Sequence, residues 1–243
     1  MKISIETIFP HGSPKDHYDF VFHWSKKLKI IYLALPKVAS SSIIRFLQLN
    51  ETNGDGSVFN FKPHDKINSP LLSPSDNFDG FKSLVADPDC FLFTFVRNPY
   101  DRVLSGYLEK IAKASNRHDP RVLKLGLDGV DIPSFHDFLL ALEKQGFPTM
   151  DRHWKPQHLI ARPQAIRYDL IGKLESYEND MATLLKRTGL TQFISAEKEG
   201  VEHATSARTL KEKYYGAKEI ALVNKLYEQD FKLFDYSMLT ESF

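Results

Sequence analysis

Cysteine is almost missing from this chain of 243 residues: Cys90 is the only one. A lone thiol cannot form a disulfide within the chain, and a cysteine-rich zinc site is excluded. An excess of charge of one sign is missing too. Lys and Arg number 32 against 31 Asp and Glu, a formal net charge of +1. No global field therefore recruits nucleic acid or an anionic membrane, and any anion site must be local. Long apolar runs are missing: none approaches the roughly 18–20 residues that cross a bilayer. The start, MKISIETIFPHGSPKDHYDF, lacks the apolar core of a signal peptide. No HExxH or Asp-rich pattern appears, so no metal is expected. These absences point to a soluble intracellular protein of a reducing compartment, or else to a trimmed luminal domain, with no membrane span and no nucleic-acid partner. What is present, 42% hydrophobic and 12% aromatic residues, suffices for a substantial core. The length suits one domain, with a core over about 28–237 and residues 1–27 as an N-terminal extension.

Hydrophobic patterning gives an alternation of strands and helices. LKIIYLAL (Leu28 to Leu35) and CFLFTFVRN (Cys90 to Asn98) are near-continuous apolar runs, as in strands buried on both faces of a parallel sheet. YDLIGKLE is a third strand. Helices are predicted over SSIIRFLQLN with Ser40 or Ser41 as N-cap, and over PYDRVLSGYLEKIAKA with Pro99 near its first position. Others are SFHDFLLALEKQG, capped by Ser134 and ended by Gly146, and SYENDMATLLKRTGL, capped by Ser176 and stopped near Gly189. TLKEKYYG and AKEIALVNKLYEQDFKLF also read as helical. Residues 60–80 read as a long loop and 115–133 as irregular. The pattern predicts an α/β, P-loop-like, three-layer fold with a central, mainly parallel sheet flanked by helices.

In such sheets ligands bind beyond the carboxyl ends of the strands. The segment PKVASSS, Pro36 to Ser42, falls there, between a strand and a helix N-terminus whose first N–H groups have no partners inside the helix. Lys37 adds a point charge and Ser40, Ser41 and Ser42 add hydroxyls, which suits phosphate or sulfate. The glycines of GxxxxGK[ST] are missing, which argues against an ATP or GTP hydrolase. A second junction, FTFVRNPYDRVLSGY, puts Arg97 at a strand end and Ser105 on the helix that follows. Arginine suits bidentate phosphate binding. Two such junctions side by side suit a nucleotide with phosphates at both ends.

At these residues the chain resembles a known family. LPKVASSSIIRFL is similar to the 5′-phosphosulfate-binding loop of sulfotransferases that use 3′-phosphoadenosine 5′-phosphosulfate (PAPS), and FVRNPYDRVLSGYLEK to their 3′-phosphate-binding motif. The match lies with the Golgi carbohydrate sulfotransferases of the chondroitin, HNK-1 and heparan 2-O types. HWKPQ…YDLIGKLESYENDM and HATSARTLKEKYY…LVNKLYEQDFKLFDY resemble further stretches of that group. Members usually carry paired luminal cysteines and a membrane anchor. Their lack here leads to the expectation of a cytoplasmic protein, bacterial or viral, rather than one of the Golgi lumen.

The resemblance implies sulfuryl transfer from PAPS, with 3′-phosphoadenosine 5′-phosphate (PAP) as product, to an acceptor hydroxyl on a carbohydrate. It implies that Lys37 stabilises the leaving 5′-phosphate while Pro36, Val38, Ala39, Ser40, Ser41 and Ser42 form the rest of the 5′-phosphosulfate loop. Arg97 and Ser105 are implied at the 3′-phosphate. Thr205, Ser206 and Arg208 either close over the phosphates or belong to a mobile surface segment. The base is implied to be a histidine, whose reference pKa of about 6.5 suits the task. His64 in FKPHDKINSP stands first and His153 in DRHWKPQ second; each has a bland alternative, as a solvent-facing loop residue and a packing residue respectively. Trp154 lines an acceptor cleft or packs in the core, and Arg102 binds an anionic acceptor or lies on a solvated face. Glu175 is a candidate to orient Lys37 or the base, or a solvated strand end. Cys90 reads as packing. Two other classes stay open: a P-loop-type nucleotide phosphotransferase, and a module that binds PAP or a sulfated glycan without turnover.

Overall fold

The computed structural model describes residues 6, 9, 17–113, 120–127, 133–191 and 210–241. The principal elements, in chain order, are β1 (Phe22–Ser25), β2 (Ile30–Leu33), α1 (Ser40–Glu51), α2 (Phe78–Ala86), β3 (Phe91–Val96), α3 (Pro99–Lys110), α4 (Phe135–Gln145), α5 (Gln157–Ala161), β4 (Leu170–Lys173), α6 (Tyr177–Thr188), α7 (Ala217–Leu226) and α8 (Glu228–Leu233). The chain divides into two compact units, each taken by itself: Met1–Val96 with Ala161–Lys198, and Arg97–Ile160 with Glu199–Phe243.

The first unit holds the sheet, in the order β1-β2-β3-β4. β2, β3 and β4 run parallel, as the alternation of three predicted strands with helices implies. Every residue of β2 and β3 is buried, the condition under which a strand loses its alternation of apolar and polar positions. Tyr32 and Phe93 stack at 4.8 Å where the two strands meet. Phe95 of β3 pairs with Gly172 of β4. A Cβ on Gly172 would lie 2.5 Å from the Phe95 ring, so glycine is what lets the ring lie over the neighbouring strand. Cys90 is buried, as its reading as a packing residue expects.

Three features differ from the sequence reading. β1, the stretch FHWS, joins the sheet antiparallel to β2, from Phe22↔Leu33 to Ser25↔Ile30. Trp24 also exchanges backbone hydrogen bonds with Leu72, at 3.0 and 2.9 Å. Helix α2 begins inside the stretch read as loop. Asn77 starts it by accepting a hydrogen bond from the Gly80 N–H, so the asparagine and glycine that look like turn residues here initiate a helix.

The second unit is helical. Phe135, Phe138, Leu139 and Leu142 recur on α4 at the spacing of one helix face, and all are buried. Trp154 is 1% exposed and meets Phe138 edge to face at 5.4 Å. It packs the core and does not line an open cleft. The predicted C-terminal helix is broken in two at Tyr227, whose φ of −118° leaves the helical range. The buried Tyr227 hydroxyl donates to the Trp154 carbonyl at 2.6 Å. Among the described residues no helix is long and apolar enough to cross a membrane.

Candidate active site

In the first unit, β2 runs through Ala34 and Leu35 into Pro36-Lys37-Val38-Ala39, and α1 starts at Ser40. Val38 is fully buried and pins the turn, while Pro36, Lys37 and Ala39 are half-buried. Lys37 and Ala39 both take left-handed backbone, at φ 69° and 60°. A residue with a Cβ gives up roughly 1–2 kcal/mol in that region, so the turn is strained at two of its four positions. The N-cap of α1 is Ala39, not Ser40 or Ser41. Alanine has no side-chain oxygen with which to cap, so the N–H groups of the first turn and the positive end of the helix dipole are left to a ligand or solvent. Ser40 is buried, Ser42 half-buried and Ser41 exposed. The Ser41 Oγ lies 3.1 Å from Nε2 of His64. The structure therefore brings the lysine–serine turn and the first-ranked histidine together.

His64 sits on a tight turn. The Asp65 carboxylate accepts from the Ile67 N–H at 3.0 Å and from the Asn68 side chain at 2.8 Å. Hydrogen bonds from the Asn68 side chain and backbone hold its pKa below the usual carboxylate value. Behind the turn, Lys66 donates to the Phe22 carbonyl at 2.5 Å and lies 3.3 Å from Nδ1 of His23. His23 is fully buried, and burial, then Lys66, then His64 press its pKa well below the ordinary value. Burial also pushes Lys66 down to about 7, against the opposing pull of Asp19 and Asp76.

The unfolded lysine titrates near its reference value of about 10.4. Between pH 7 and that value the unfolded chain binds more protons than the folded one, so stability rises with pH in that window. The urea midpoint of the protein is expected to climb between pH 7 and pH 9. Lys66→Met should flatten the climb; an equal slope in the variant would refute the assignment.

In the second unit, Arg97 is 4% exposed and follows β3 directly. Gln157 clamps its backbone from both sides: the Arg97 N–H donates to Gln157 Oε1 at 2.9 Å, and Gln157 Nε2 donates to the Arg97 carbonyl at 2.8 Å. Gln157 is held in turn by Asp230 of α8. That fully buried carboxylate accepts from the N–H groups of Gln157 and His158, at 2.7 and 2.8 Å, and meets Nδ1 of His158 at 2.7 Å.

The two junctions are not alike. Pro99 opens α3 with no N–H, and the Asn98 side chain accepts from the Tyr100 N–H. This helix start is already capped, so an anion there would be held by the side chains of Arg97 and the half-buried Ser105. Arg102 is 1% exposed and donates to the carbonyls of Lys155 and Arg152, at 2.9 and 2.8 Å. Its guanidinium is a structural tie and does not form an acceptor surface. His153 Nδ1 is 2.6 Å from Asp151, with both side chains partly buried. Burial alone would raise the Asp151 pKa, but hydrogen bonds from His153 outweigh it and hold the carboxyl low. Glu175 is exposed in the turn after β4. Thr205, Ser206 and Arg208 lie outside the described residues. Gln157 and Asp230 were given no role from sequence. Asp230 falls within the predicted C-terminal helix, whereas Gln157 begins a short helix that the sequence reading did not include.

The fold is thus a P-loop-like α/β architecture with a cation and hydroxyls at each of two strand ends. The chain belongs to the Sulfotransferase family, whose model matches residues 21–237. It is 25% identical over 168 residues to carbohydrate sulfotransferase 11 of Rattus norvegicus, covering 60% of this chain and 47% of the relative. It is 23% identical over 256 residues to carbohydrate sulfotransferase 9 of Homo sapiens, covering 93% and 57%. With carbohydrate sulfotransferase 10 of Danio rerio the identity is 26% over 241 residues, covering 86% and 64%. The chain spans about half the length of the relatives it matches. No solved structure matches it significantly.

These relatives overturn the expectation of a cytoplasmic bacterial or viral protein. They are animal carbohydrate sulfotransferases, the type that the resemblance places in the Golgi. That expectation rested on the cysteine count and on the lack of a long apolar run in the sequence, and neither feature belongs to the sheet and helices that define the family.

Proposed function

We propose that the protein transfers a sulfuryl group from PAPS to a hydroxyl of a carbohydrate. The observation that carries this reading is the uncapped start of α1 beside Lys37, with Ser41 at 3.1 Å from His64. An anion-binding turn and a candidate base meet on one helix. The donor supplies an activated sulfuryl group; the protein holds it and manages charge and a proton. The first-turn N–H groups and the serine hydroxyls of α1 bind the 5′-phosphosulfate. Lys37 stabilises negative charge as it grows on the leaving phosphate oxygen. Arg97 and Ser105 bind the 3′-phosphate, with Gln157 fixing the backbone from which Arg97 projects. His64 accepts the proton of the attacking hydroxyl at its ring nitrogen. His153, whose Nδ1 is engaged by Asp151, is the second candidate for that step. Members of the family named for carbohydrates support the acceptor class.

Calorimetric titration with PAP, without metal and with ATP as comparison, tests the donor assignment. Micromolar or tighter PAP binding with little response to ATP is expected. No PAP binding would overturn the reading, and Mg²⁺-dependent ATP binding would favour a phosphotransferase. PAP binding without transfer from labelled PAPS to any carbohydrate would leave a non-catalytic module.

A further inference from the structure

Helix α1 carries more than the anion-binding turn. Ser41, Arg45 and Gln48 stand at i, i+4 and i+7, one stripe of the helix. Each is bonded to the stretch between residues 57 and 69 that bears His64. Ser41 meets the His64 ring at 3.1 Å. Arg45, 8% exposed, donates to the carbonyls of Val58 and, at 2.7 Å, Phe61, and its guanidinium lies 5.0 and 5.4 Å from the rings of Phe59 and Phe61. Gln48 is fully buried. Its Oε1 accepts from Arg45 at 2.8 Å, while its Nε2 donates to the Pro63 carbonyl at 3.1 Å and the Ser69 hydroxyl at 3.0 Å. Pro63 is the residue before His64. A buried amide spends its hydrogen bonds where they fix geometry, because leaving them unmade costs roughly 1–3 kcal/mol.

We propose that Gln48, supported by Arg45, is a positioning residue that holds His64 against the anion-binding turn, so that one helix fixes both the sulfuryl donor and the base. The proposal rests on the reading of His64 as the base and of the α1 turn as the donor site. A tie through a side chain on the donor-binding helix keeps the two groups in register if the loop moves. A base misplaced by about 1 Å can lose on the order of 100-fold in rate.

The test reads the His64 ring by proton NMR, its signals identified by their loss in His64→Ala, in titrations with and without PAP. In the unaltered protein, PAP is expected to raise the His64 pKa by about one unit, because an anion within about 4–6 Å favours imidazolium. In Gln48→Leu, PAP affinity should stay within about twofold while the His64 response falls below about a third of its original size. His23, which meets the His64 ring at 6.4 Å, and the Lys66 beside His23 are common to both titrations. If the buried leucine prevents folding, Arg45→Lys takes its place. It keeps the charge but not the forked donor set, and should lose part of the response.

The outcomes separate. Failure of PAP to bind the unaltered protein overturns the donor reading. Binding that leaves His64 unmoved overturns His64 as the group at the donor. A full His64 response in both Gln48→Leu and Arg45→Lys overturns the positioning role alone.

Discussion

Lys37→Ala is expected to lower sulfuryl transfer from labelled PAPS to a panel of carbohydrate acceptors by roughly 100- to 1,000-fold, the range for removing one preorganised partner of developing charge. The fold should be unaffected. Lys37 is half-buried, and its φ of 69° is left-handed whatever the side chain, so alanine inherits the same backbone without opening a core cavity. Far-ultraviolet circular dichroism and the urea midpoint should match those of the parent. Lys37→Gly makes the separation sharper. Glycine relieves the left-handed strain but enlarges the freedom of the unfolded chain, for a net gain in stability of up to about 1 kcal/mol. An enzyme that is slightly more stable and equally inactive would mark the strain as a cost accepted for function. Turnover within tenfold of the parent in Lys37→Ala would remove the lysine from the mechanism.

The second large effect is on stability. Asp230→Ala is expected to destabilise the protein by about 3–5 kcal/mol, the range for breaking a buried charged cluster by deleting one partner. Three donors lose their acceptor at once: the N–H groups of Gln157 and His158 and Nδ1 of His158. That is a large share of the roughly 5–15 kcal/mol of a whole fold. Asp230→Asn keeps one acceptor oxygen but turns an amide donor towards the remaining N–H, so an intermediate loss of about 1–3 kcal/mol is expected. The measurement is equilibrium urea unfolding. Gln157 carries the effect on to Arg97, so PAP affinity should fall in both variants under conditions where they remain folded. A loss under about 1 kcal/mol in Asp230→Ala would show that the carboxylate is not the anchor of this segment.

Much of the sheet was legible because its two central strands, β2 and β3, are buried on both faces. IIYL is a continuous apolar run, and FLFTFV is one interrupted only by Thr94. β1 was not legible: its four residues, FHWS, include a histidine and a serine that are buried only because the fold closes over them. The side-chain cap at Ser134 was read correctly, whereas the one at Asn77 was hidden in a stretch read as loop. The cap was misread at α1, where the start is set by the left-handed turn at Ala39, a backbone state that residue type does not announce for alanine. At the site, Lys37, the serines and Arg97 stood out because their chemistry lies at the ends of recognisable strands. The ties that aim them did not. Gln157 to Arg97, Asp230 to Gln157 and Gln48 to Pro63 join residues 15 to 73 positions apart, and only the tertiary fold brings them into range.

The pairing of Trp24 with Leu72 has a consequence for the solution behaviour of the protein. β1 is the outermost strand on its side of the sheet, and an outer strand with unpaired backbone groups is a template for association with other chains. The polypeptide that leads on from His64 closes part of that border. A deletion running from His64 through Leu72 would therefore do more than remove a candidate base. It would uncover Trp24 and the strand that carries it, and the product should self-associate. Attempts to change acceptor preference by exchanging this loop would need to keep the Leu72 pairing, or solubility would be lost before any change in specificity could be read.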